Sequence, residues 1–428
     1  MKKVLIITYY WPPGSGSGVQ RFLKFSKYLN QFGWEPVILT VKDGNFSSED
    51  LSLQNDIPDN TLVYKSKSLE PYYWYNLLFG KKNKKSASGS IGLASDSIIS
   101  KLALYIRANL FIPDARVGWN YFAFKKAQEI MKAHKIDAVI STGPPQSSHL
   151  IAEKLKRSYN LPWIVDLRDP WTSVFYNSLF PRTKRTIAKD KSLEDRIVKN
   201  ADALSVVSRG LVQEFKDRNS NINLIYNGYD ESDFEGLNEE KDKDSFVITY
   251  VGNFMASQNV DSFWFGLSQL IDSNSNFGNK LKIKLVGNTD ELILNSVAEY
   301  SLEKYTENVG FVDHKKAIQY MQESDLLLFV IPDADQNQKI ITGKLFEYLA
   351  TGNDILSLGP TDGDASSILD EMGKTKMLSY KDVEGVKKQI LDCFNKEEKQ
   401  NRAPANIKNY SRKSLTKQLC QLLDSVVY

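Results

Sequence analysis

The chain has 428 residues, of which 42% are hydrophobic, 25% charged and 11% aromatic. These are ordinary values for a globular protein, and the length suits two or three domains. A net charge of +3 excludes the strongly basic character of a dedicated nucleic-acid binder. The two cysteines and three histidines are too few and too scattered for a disulfide framework or a zinc site, so we expect no metal and no nucleic-acid partner.

The chain begins with a short apolar segment, Val4–Thr8, that predicts a buried parallel strand. A loop, Pro12–Gly18, follows, and helical spacing of apolar residues starts near Val19 and ends before Gly33. Lys2 and Lys3 precede only four apolar residues, which is too short for a signal peptide, and no apolar run could span a bilayer. We therefore expect a cytoplasmic protein.

Residues 70–113 are irregular in pattern. The aromatic cluster Tyr72–Tyr75 and a lysine-containing loop, Lys81–Gly92, lead to an amphipathic segment, Ile98–Phe111. Aromatic residues, lysines and an amphipathic helix suit the surface of an anionic membrane that carries a lipid-linked acceptor. A solvated loop followed by an ordinary core helix is the alternative interpretation.

From residue 119 onward, predicted strands and helices alternate regularly. After the first strand and a second at Pro36–Val41, the predicted strands are Ala138–Ser141, Trp163–Leu167, Ala203–Val207, Leu224–Tyr226, Phe246–Val251, Leu281–Val286, Glu307–Phe311, Leu326–Ile331, Ile355–Leu358 and Met377–Tyr380. The main predicted helices between and after them are Trp119–His134, Ser147–Tyr159, Lys184–Asn200, Leu211–Lys216 and Ser411–Val427.

This alternation predicts an α/β protein with two Rossmann-like doubly wound domains. A polar run, Glu235–Ser245, separates the two series of strands. We assign residues 1–228 to an N-terminal acceptor-binding domain and 229–410 to a C-terminal nucleotide-sugar donor domain. A helix within 411–428 is expected to pack back toward the N-terminal domain. Because ligands bind at the carboxyl ends of parallel strands, we expect the domains to face each other across a cleft.

Three loops at strand ends of the first domain carry candidate functional residues. The glycines of Gly14–Gly18 allow a close approach of backbone to ligand, although a plain flexible turn is the alternative. His149 begins the helix after Ser141–Pro145, where it could contact a ligand or fill a structural role. In Asp166–Trp171, one Asp–Arg pair would explain two of three clustered charges and leave Asp169 to orient or deprotonate an attacking hydroxyl.

The most informative stretch is Gly343–Gly352, which follows an apolar strand and a polar loop. A helix N-terminus at this place attracts phosphate through its exposed N–H groups and its dipole, and Lys344 adds a positive charge. The Asp-x-Asp patterns at Asp333–Asp335 and Asp362–Asp364 occur twice within one domain, which shows how unspecific they are, so we do not assign a metal site to them.

These motifs together resemble a GT-B fold glycosyltransferase of family four, of the kind that assembles bacterial surface polysaccharides. The resemblance rests on the opening strand with Gly16 and Gly18, on Tyr250-Val251-Gly252, and above all on the helix from Lys344 to Gly352. It covers nearly the whole chain. It implies a retaining, metal-independent transfer of a sugar from a nucleoside diphosphate to an acceptor hydroxyl, without a further cofactor.

The resemblance also assigns residues. Glu347 matches the family's ribose-binding glutamate, whereas Lys339 stands where its partner glutamate would fall. Asn253 and Gln258 stand where a basic pair usually holds the diphosphate. Donor binding is therefore expected from Gly16, Gly18, Gly252, Asn253, Thr342, Gly343, Lys344 and Glu347; catalysis from Asp169, Arg168 and Lys344; and acceptor-side contacts from Arg21 and His149. Arg21 and Arg168 are alternative contacts for the diphosphate.

Two other functions remain open from the sequence. A nucleotide-sugar epimerase of the same fold would need no acceptor. A non-catalytic protein with two α/β lobes could bind a sugar or nucleotide. For a glycosyltransferase, the expected partners are a nucleotide sugar, a glycan or lipid-linked acceptor, and the anionic inner face of the plasma membrane.

Overall fold

The computed structural model describes residues 1–44, 46, 48–69, 98–237, 242, 244–396 and 403–427. The aromatic cluster Tyr72–Tyr75 and the loop Lys81–Gly92 lie outside the described residues. The chain divides into two compact units. The first contains Met1–Tyr226 together with Lys413–Tyr428, and the second contains Asn227–Arg412.

The first unit is built on a seven-stranded sheet whose strands all pair in parallel, in the order β3-β2-β1-β4-β5-β6-β7. Its strands are β1 Lys2–Ile7, β2 Trp34–Val41, β3 Leu62–Ser66, β4 Ala138–Gly143, β5 Trp163–Leu167, β6 Ala203–Val206 and β7 Ile222–Leu224. Its helices are α1 Ser17–Leu29, α2 Ile98–Leu110, α3 Asn120–Ala133, α4 Ser147–Tyr159, α5 Lys184–Asn200, α6 Arg209–Phe215 and α14 Arg412–Val426.

Successive side chains of a strand point to opposite sides of the sheet. Both sides of this sheet are covered by helices and are buried. In β1, Leu5 and Ile7 join one apolar cluster with α3 and α4 residues, whereas Val4 and Ile6 join another with α1 residues. The second cluster also contains Leu415, Leu419, Leu422 and Leu423 of α14. The C-terminal helix therefore completes the core of the first unit.

The second unit has a five-stranded parallel sheet in the order β10-β9-β8-β11-β12. Its strands are β8 Phe246–Val251, β9 Leu281–Val286, β10 Thr306–Gly310, β11 Leu326–Val330 and β12 Asp354–Leu358. Its helices are α7 Asp261–Ser273, α8 Ser275–Lys280, α9 Glu291–Glu299, α10 His314–Glu323, α11 Lys344–Thr351, α12 Asp364–Glu371 and α13 Val383–Phe394.

The strand orders confirm the predicted α/β class with two Rossmann-like sheets. In the first unit the chain direction across the sheet reverses between β1 and β4, and in the second between β8 and β11. Loops that leave adjacent strands on either side of such a reversal diverge and open a crevice at the carboxyl ends. The loops after β1, β4, β8 and β11 are those that carry the glycines, the prolines and the approach to α11.

Two strand predictions need correction, and one strand was not predicted. The segment predicted at Leu224–Tyr226 is shifted, because β7 ends at Leu224. Met377–Tyr380 is not a strand and contributes one isolated bridge, between Leu378 and Leu358. The edge strand β3 was not predicted, since its residues Leu62–Ser66 are mostly half-buried and lack a continuous apolar run. No helix in the described part of the chain is long and apolar enough to cross a membrane.

Candidate functional site

The N-terminus of α11 carries a half-buried lysine directed at the end of β8. The Lys344 ammonium donates a hydrogen bond of 2.7 Å to the hydroxyl of Tyr250 and lies 4.1 Å from the centroid of that ring. Burial lowers the pKa of Lys344 to about 7, although the nearby Glu347 carboxylate acts in the opposite direction. The lysine is thus held in a low-dielectric position where an anionic ligand would stabilise its charged form.

Glycine at position 252 makes room for this lysine. Gly252 has a φ of +115°, and a Cβ built on it would lie 3.1 Å from the Lys344 Nζ. The backbone of Gly252 is also close to Gly287, where a Cβ would lie 2.3 Å from the Gly252 carbonyl oxygen. A side chain at either position would therefore force the ends of β8 and β9 apart, or displace the lysine.

Tyr250 is fixed by its other neighbours. Its hydroxyl lies 2.9 Å from the Asn253 carbonyl oxygen and 3.1 Å from the Gln258 Oε1, while Gln258 donates a 2.8 Å bond to the carbonyl of Val330. Gln258 is buried, with 2% of its surface exposed. Gln258 stands where the resemblance implies a cation for the diphosphate. In the structure it instead links Tyr250 of β8 to Val330 of β11.

The helix α11 is anchored so that its first turn keeps a fixed position. Tyr348 is buried, and its hydroxyl accepts a 2.9 Å hydrogen bond from the Val251 N–H. One residue before Gly343, the buried Oγ1 of Thr342 has no hydrogen-bond partner among the described residues. Together with the N–H groups of a helix's first turn, which have no partner within the helix, this hydroxyl adds a polar group suited to an anion.

Glu347 lies one turn further along α11 and approaches a histidine from α10. Its Oε1 is 3.6 Å from the His314 Nε2, and the same nitrogen is 3.2 Å from Asp233 Oδ2. All three side chains are largely buried, with exposed fractions of 16%, 13% and 14% in that order. Lys339, in contrast, lies in a short turn before α11 and donates to the Gln336 side chain.

In the first unit, Gly18 and Arg168 are in contact. A Cβ on Gly18 would lie 2.6 Å from the Arg168 Nη1. The Arg168 Nε donates to the Gly143 carbonyl at 3.2 Å, and its Nη2 donates to the Pro144 carbonyl. The guanidinium therefore binds the end of β4 and lies against the first turn of α1. Gly16, with a φ of +96°, precedes α1 and has open space around its Cα.

Asp169 follows directly. It is partly exposed, and burial raises the pKa of its carboxyl group, although the neighbouring Arg168 opposes the shift. A carboxyl group with a raised pKa at a strand end can accept a proton or orient a hydroxyl.

The sequence predicts an Asp–Arg pair within Asp166–Asp169. In the structure, Asp166 pairs with Arg21 of α1 instead. Asp166 is buried and bound by Arg21, whose Nη2 lies 2.7 Å and Nε 3.1 Å from the Asp166 Oδ1. Ser205 and Thr142 donate to the same carboxylate at 2.8 Å. Burial opposes ionisation, but Arg21 and these hydrogen bonds prevail and hold the pKa of Asp166 below its ordinary value.

The acceptor-side assignment of Arg21 is therefore wrong. Its side chain is 0% exposed, and it also donates to the Ser205 hydroxyl and to the carbonyls of Ile225 and Tyr226. From the sequence it was expected to contact the acceptor, or alternatively the diphosphate. In the fold, Arg21 points into the sheet and joins β5 to the chain after β7.

His149, also assigned to the acceptor side, is fully buried, and its ring is bonded within the fold. Its Nδ1 lies 2.8 Å from the Ser141 hydroxyl, its Nε2 lies 3.1 Å from the Gln146 Oε1, and its ring is 5.7 Å from that of Trp171. Burial lowers the pKa of His149 to about 3, so the ring is neutral. These contacts agree with the alternative interpretation of His149 as a structural residue.

Residues 95–233 match the family model described as Glycosyltransferase Family 4. The match lies almost entirely within the first unit and agrees with the predicted GT-B fold of two Rossmann-like domains. Among curated proteins, none matches the sequence significantly.

Solved structures share the fold of this chain at low identity. WaaG, a glycosyltransferase involved in lipopolysaccharide biosynthesis, superposes with a TM-score of 0.59 at 12% identity over 98% of this chain and 99% of that one. S. aureus TarM gives 0.61 at 10% identity over 99% and 100%. A Listeria monocytogenes structure described as a UDP-N-acetylglucosamine 2-epimerase gives 0.56 at 13% identity over 99% and 96%.

The structure brings together the predicted donor residues that lie in the second unit. Gly252, Lys344 and Glu347 are neighbours, with Thr342 and Gly343 immediately before Lys344. Asn253 follows Gly252 and accepts at its Oδ1 a 3.2 Å bond from the Asn288 side chain. Gly16, Gly18, Arg168 and Asp169 form a separate set in the first unit.

Sequence reasoning missed Tyr250, Asp233 and His314. Tyr250 was part of a quoted motif, and its burial beside a lysine could not be read from the pattern. His314 follows β10 at the start of α10, and the rule that ligands meet strand carboxyl ends could have flagged it.

Proposed function

We propose that this protein is a glycosyltransferase that moves a sugar from a nucleoside-diphosphate sugar to an acceptor hydroxyl, with retention of configuration and without a metal ion, in surface-glycan biosynthesis. The observation that carries the proposal is the position of Lys344, a half-buried cation at a helix N-terminus beside Gly252. A diphosphate placed there would meet a positive charge, the N–H groups of the first helical turn and the Thr342 hydroxyl.

In the proposed reaction the acceptor oxygen attacks the anomeric carbon as the bond between that carbon and the diphosphate oxygen breaks. The sugar passes through an oxocarbenium-like state. The departing phosphate gains negative charge, which Lys344 stabilises. The same phosphate takes the proton of the acceptor hydroxyl, so attack comes from the face that the diphosphate leaves. Asp169 orients the acceptor hydroxyl, and Arg168 holds the end of β4 beside the first turn of α1.

The acceptor class is proposed from the related folds. TarM is described in complex with UDP and alpha-GlcNAc-glycerol, and WaaG is described as acting in lipopolysaccharide biosynthesis. A nucleotide-sugar donor and a glycan or lipid-linked acceptor are consistent with both. We assign the donor to the second unit, with Glu347 on the ribose, and the acceptor to the first unit.

Membrane contact at the cytoplasmic face is proposed from an apolar stripe on α2. Its side chains Leu102, Tyr105, Ile106 and Leu110 are 57%, 47%, 40% and 73% exposed. The Asn109 side chain links α2 to the start of α5, since it donates to the Pro181 carbonyl and accepts from the Thr183 N–H.

Two cations, Lys184 and Arg185, are exposed in the first turn of α5. Positive side chains at the positive end of a helix dipole are unfavourable unless an anion is near. An apolar stripe beside such cations suits an anionic lipid surface.

A thermal-shift panel of UDP-, GDP- and ADP-sugars tests the donor proposal, followed by product analysis with the donor that binds. We expect one nucleotide class to stabilise the protein and its sugar to appear on an added acceptor. Stabilisation by none of the nucleotide sugars would contradict the proposal.

An epimerase is the second candidate, because the Listeria monocytogenes neighbour has that description and the same fold. Incubation with the donor alone separates the two functions. An isomerised nucleotide sugar formed without acceptor would identify the epimerase, whereas the transferase would leave the sugar's configuration unchanged.

A further inference from the structure

One imidazole nitrogen in the second unit lies between two carboxylates. The His314 Nε2 is 3.2 Å from Asp233 Oδ2 and 3.6 Å from Glu347 Oε1. The three residues come from separate segments: Asp233 from the short helix Glu231–Phe234, His314 from the first position of α10, and Glu347 from α11. The burial of all three, none more than 16% exposed, makes this a fixed arrangement and not a surface ion pair.

The two distances give the carboxylates different roles. The contact of 3.2 Å to Asp233 is a hydrogen bond, whereas 3.6 Å to Glu347 is beyond hydrogen-bond distance and is an electrostatic contact. The Nε2–H is thus directed to Asp233. Glu347 lies beside the imidazole, and its oxygens keep the capacity to accept hydrogen bonds from a ligand.

His314 also bears on the attraction between Glu347 and Lys344. Burial lowers the pKa of Lys344, and Glu347, one helical turn away, is close enough to oppose that shift. Among the ion pairs of the described residues, Glu347 nevertheless pairs with His314 and not with Lys344. Lys344 instead donates to Tyr250. The imidazole therefore keeps the carboxylate apart from the lysine, so that each side chain is available for a different part of a ligand.

We propose that His314, held by Asp233, is a positioning residue that fixes Glu347 for the two hydroxyls of the donor's ribose. The inference rests on the proposed function, because it assumes a nucleotide bound at α11. It adds a residue to the recognition of the nucleoside and separates two tasks: Glu347 and His314 for the ribose, Lys344 for the diphosphate. Without His314, Glu347 turns toward Lys344, and both contacts weaken.

The test measures ribose discrimination by calorimetry with UDP, GDP and ADP, each compared with its 2′,3′-dideoxy analogue. For the nucleotide that binds, we expect the wild type to prefer the ribose form by about tenfold or more, the effect of hydrogen bonds to a charged acceptor. Glu347→Ala removes the acceptor and should abolish this preference. His314→Ala should reduce it to less than about threefold.

Three variants separate positioning from simple loss of structure. In His314→Gln the amide nitrogen takes the place of Nε2, so the preference is retained; in His314→Asn it does not reach, so the preference is lost. His134→Ala is the matched control, because that histidine bonds to the Tyr64 hydroxyl at 2.6 Å in the first unit. In the double variant of His314→Ala and Glu347→Ala, the two losses should not add.

The outcomes distinguish the two proposals. If the wild type binds none of the three nucleotides, the proposed function is wrong and this inference falls with it. If the wild type binds and discriminates ribose while His314→Asn keeps the full preference, nucleotide binding stands and the role of His314 is refuted. If Glu347→Ala keeps the preference, the ribose contact lies elsewhere and the inference is refuted as well.

Discussion

Lys344 and Tyr250 form a cation–hydroxyl pair, with a hydrogen bond of 2.7 Å from the ammonium to the phenol oxygen. A protonated lysine has three N–H donors, and a phenol oxygen neutralises no charge. The pair thus leaves a desolvated cation whose charge is not fully compensated by the protein. Such a group weakens the fold in the absence of ligand and strengthens the binding of an anion.

Replacing Lys344 by methionine is expected to stabilise the ligand-free protein at low pH. The folded-state pKa of about 7 lies below the ordinary value of 10.5, so folding disfavours the protonated form. This penalty is fully present below pH 7 and disappears as the pH rises from about 7 toward 10.5. Thermal denaturation should show a higher midpoint for Lys344→Met than for wild type at pH 6 and no difference near pH 10. Lys388→Met, at an exposed surface position, is the control; a lower midpoint for Lys344→Met at pH 6 would refute the interpretation.

The same variant is expected to lose activity. Removing one group that stabilises developing charge costs about 2–4 kcal/mol, which corresponds to about 30- to 900-fold in rate. Steady-state kinetics with the identified donor should therefore show a large fall in kcat for Lys344→Met and no change for Lys388→Met. Wild-type turnover by Lys344→Met would remove this residue from the mechanism.

The pH dependence of donor binding gives a further prediction. Because only the protonated lysine carries charge, affinity for the donor in the free enzyme should fall as the pH rises through about 7. Lys344→Arg keeps its charge throughout this range and should flatten the profile between pH 6 and 9. Binding constants measured across this range provide the test, and equal slopes for the two proteins would contradict it.

Substitution of Gly252 by alanine should weaken donor binding. Its φ of +115° disfavours a side chain, and the new Cβ would lie 3.1 Å from the Lys344 Nζ. Gly236→Ala is the matched control, because Gly236 also has a positive φ, +70°, but has no atom within 4 Å of the Cβ position. Both variants carry a backbone cost of about 1–2 kcal/mol. A raised Kd for the donor in Gly252→Ala alone would show that the lysine has been displaced, and equal Kd values would argue against it.

Arg21 is expected to matter for stability and not for substrate. Breaking a buried ion pair by removing one partner costs about 3–5 kcal/mol, because the other charge is left uncompensated. Arg21→Met should therefore lower the unfolding midpoint strongly, and adding Asp166→Leu should recover part of the loss. Lys2→Met is the control, since its pair with Asp424 is about half exposed, at 46% and 52%. If Arg21→Met retained full stability and lost acceptor binding, Arg21 would be an acceptor contact, as the sequence predicts.

Much of the fold follows from local patterns. The strands Trp163–Leu167, Phe246–Val251 and Leu281–Val286 and the helices Ser147–Tyr159 and Lys184–Asn200 have the predicted bounds. Each is a mostly apolar run, an alternating pattern as in Leu281–Val286, or a clear helical repeat. Met377–Tyr380 has a strand-like composition but makes one bridge, because pairing partners are decided by tertiary contacts and not by composition.

The candidate site divides in the same way. Lys344 and Gly252 could be proposed from sequence because a helix N-terminus and a glycine at a strand end have a local meaning. Arg21 and His149 were misassigned because their direction depends on partners such as Asp166 and Ser141, which are distant in sequence or on another element. The contact of His314 with Asp233 joins residues 81 positions apart, which no local pattern reveals.

Membrane contact should depend on the exposed stripe of α2. Replacing Leu102, Ile106 and Leu110 by serine removes three apolar side chains, each contributing on the order of 1 kcal/mol when partly inserted. Cosedimentation with vesicles containing phosphatidylglycerol should therefore weaken about a hundredfold. Serine at Leu51 and Leu292, which are 69% and 53% exposed elsewhere, is the matched control.

The electrostatic part of this contact is tested by Lys184→Glu with Arg185→Glu. This variant should bind less tightly at low salt and lose the salt dependence of the wild type, because each cation near an anionic surface contributes about 1 kcal/mol. On vesicles of phosphatidylcholine alone, which carry no net charge, the wild type should bind no better than this variant does. If the serine variant of α2 and the glutamate variant of α5 both bind anionic vesicles as the wild type does, this surface does not face the membrane, and the acceptor reaches the protein by another route.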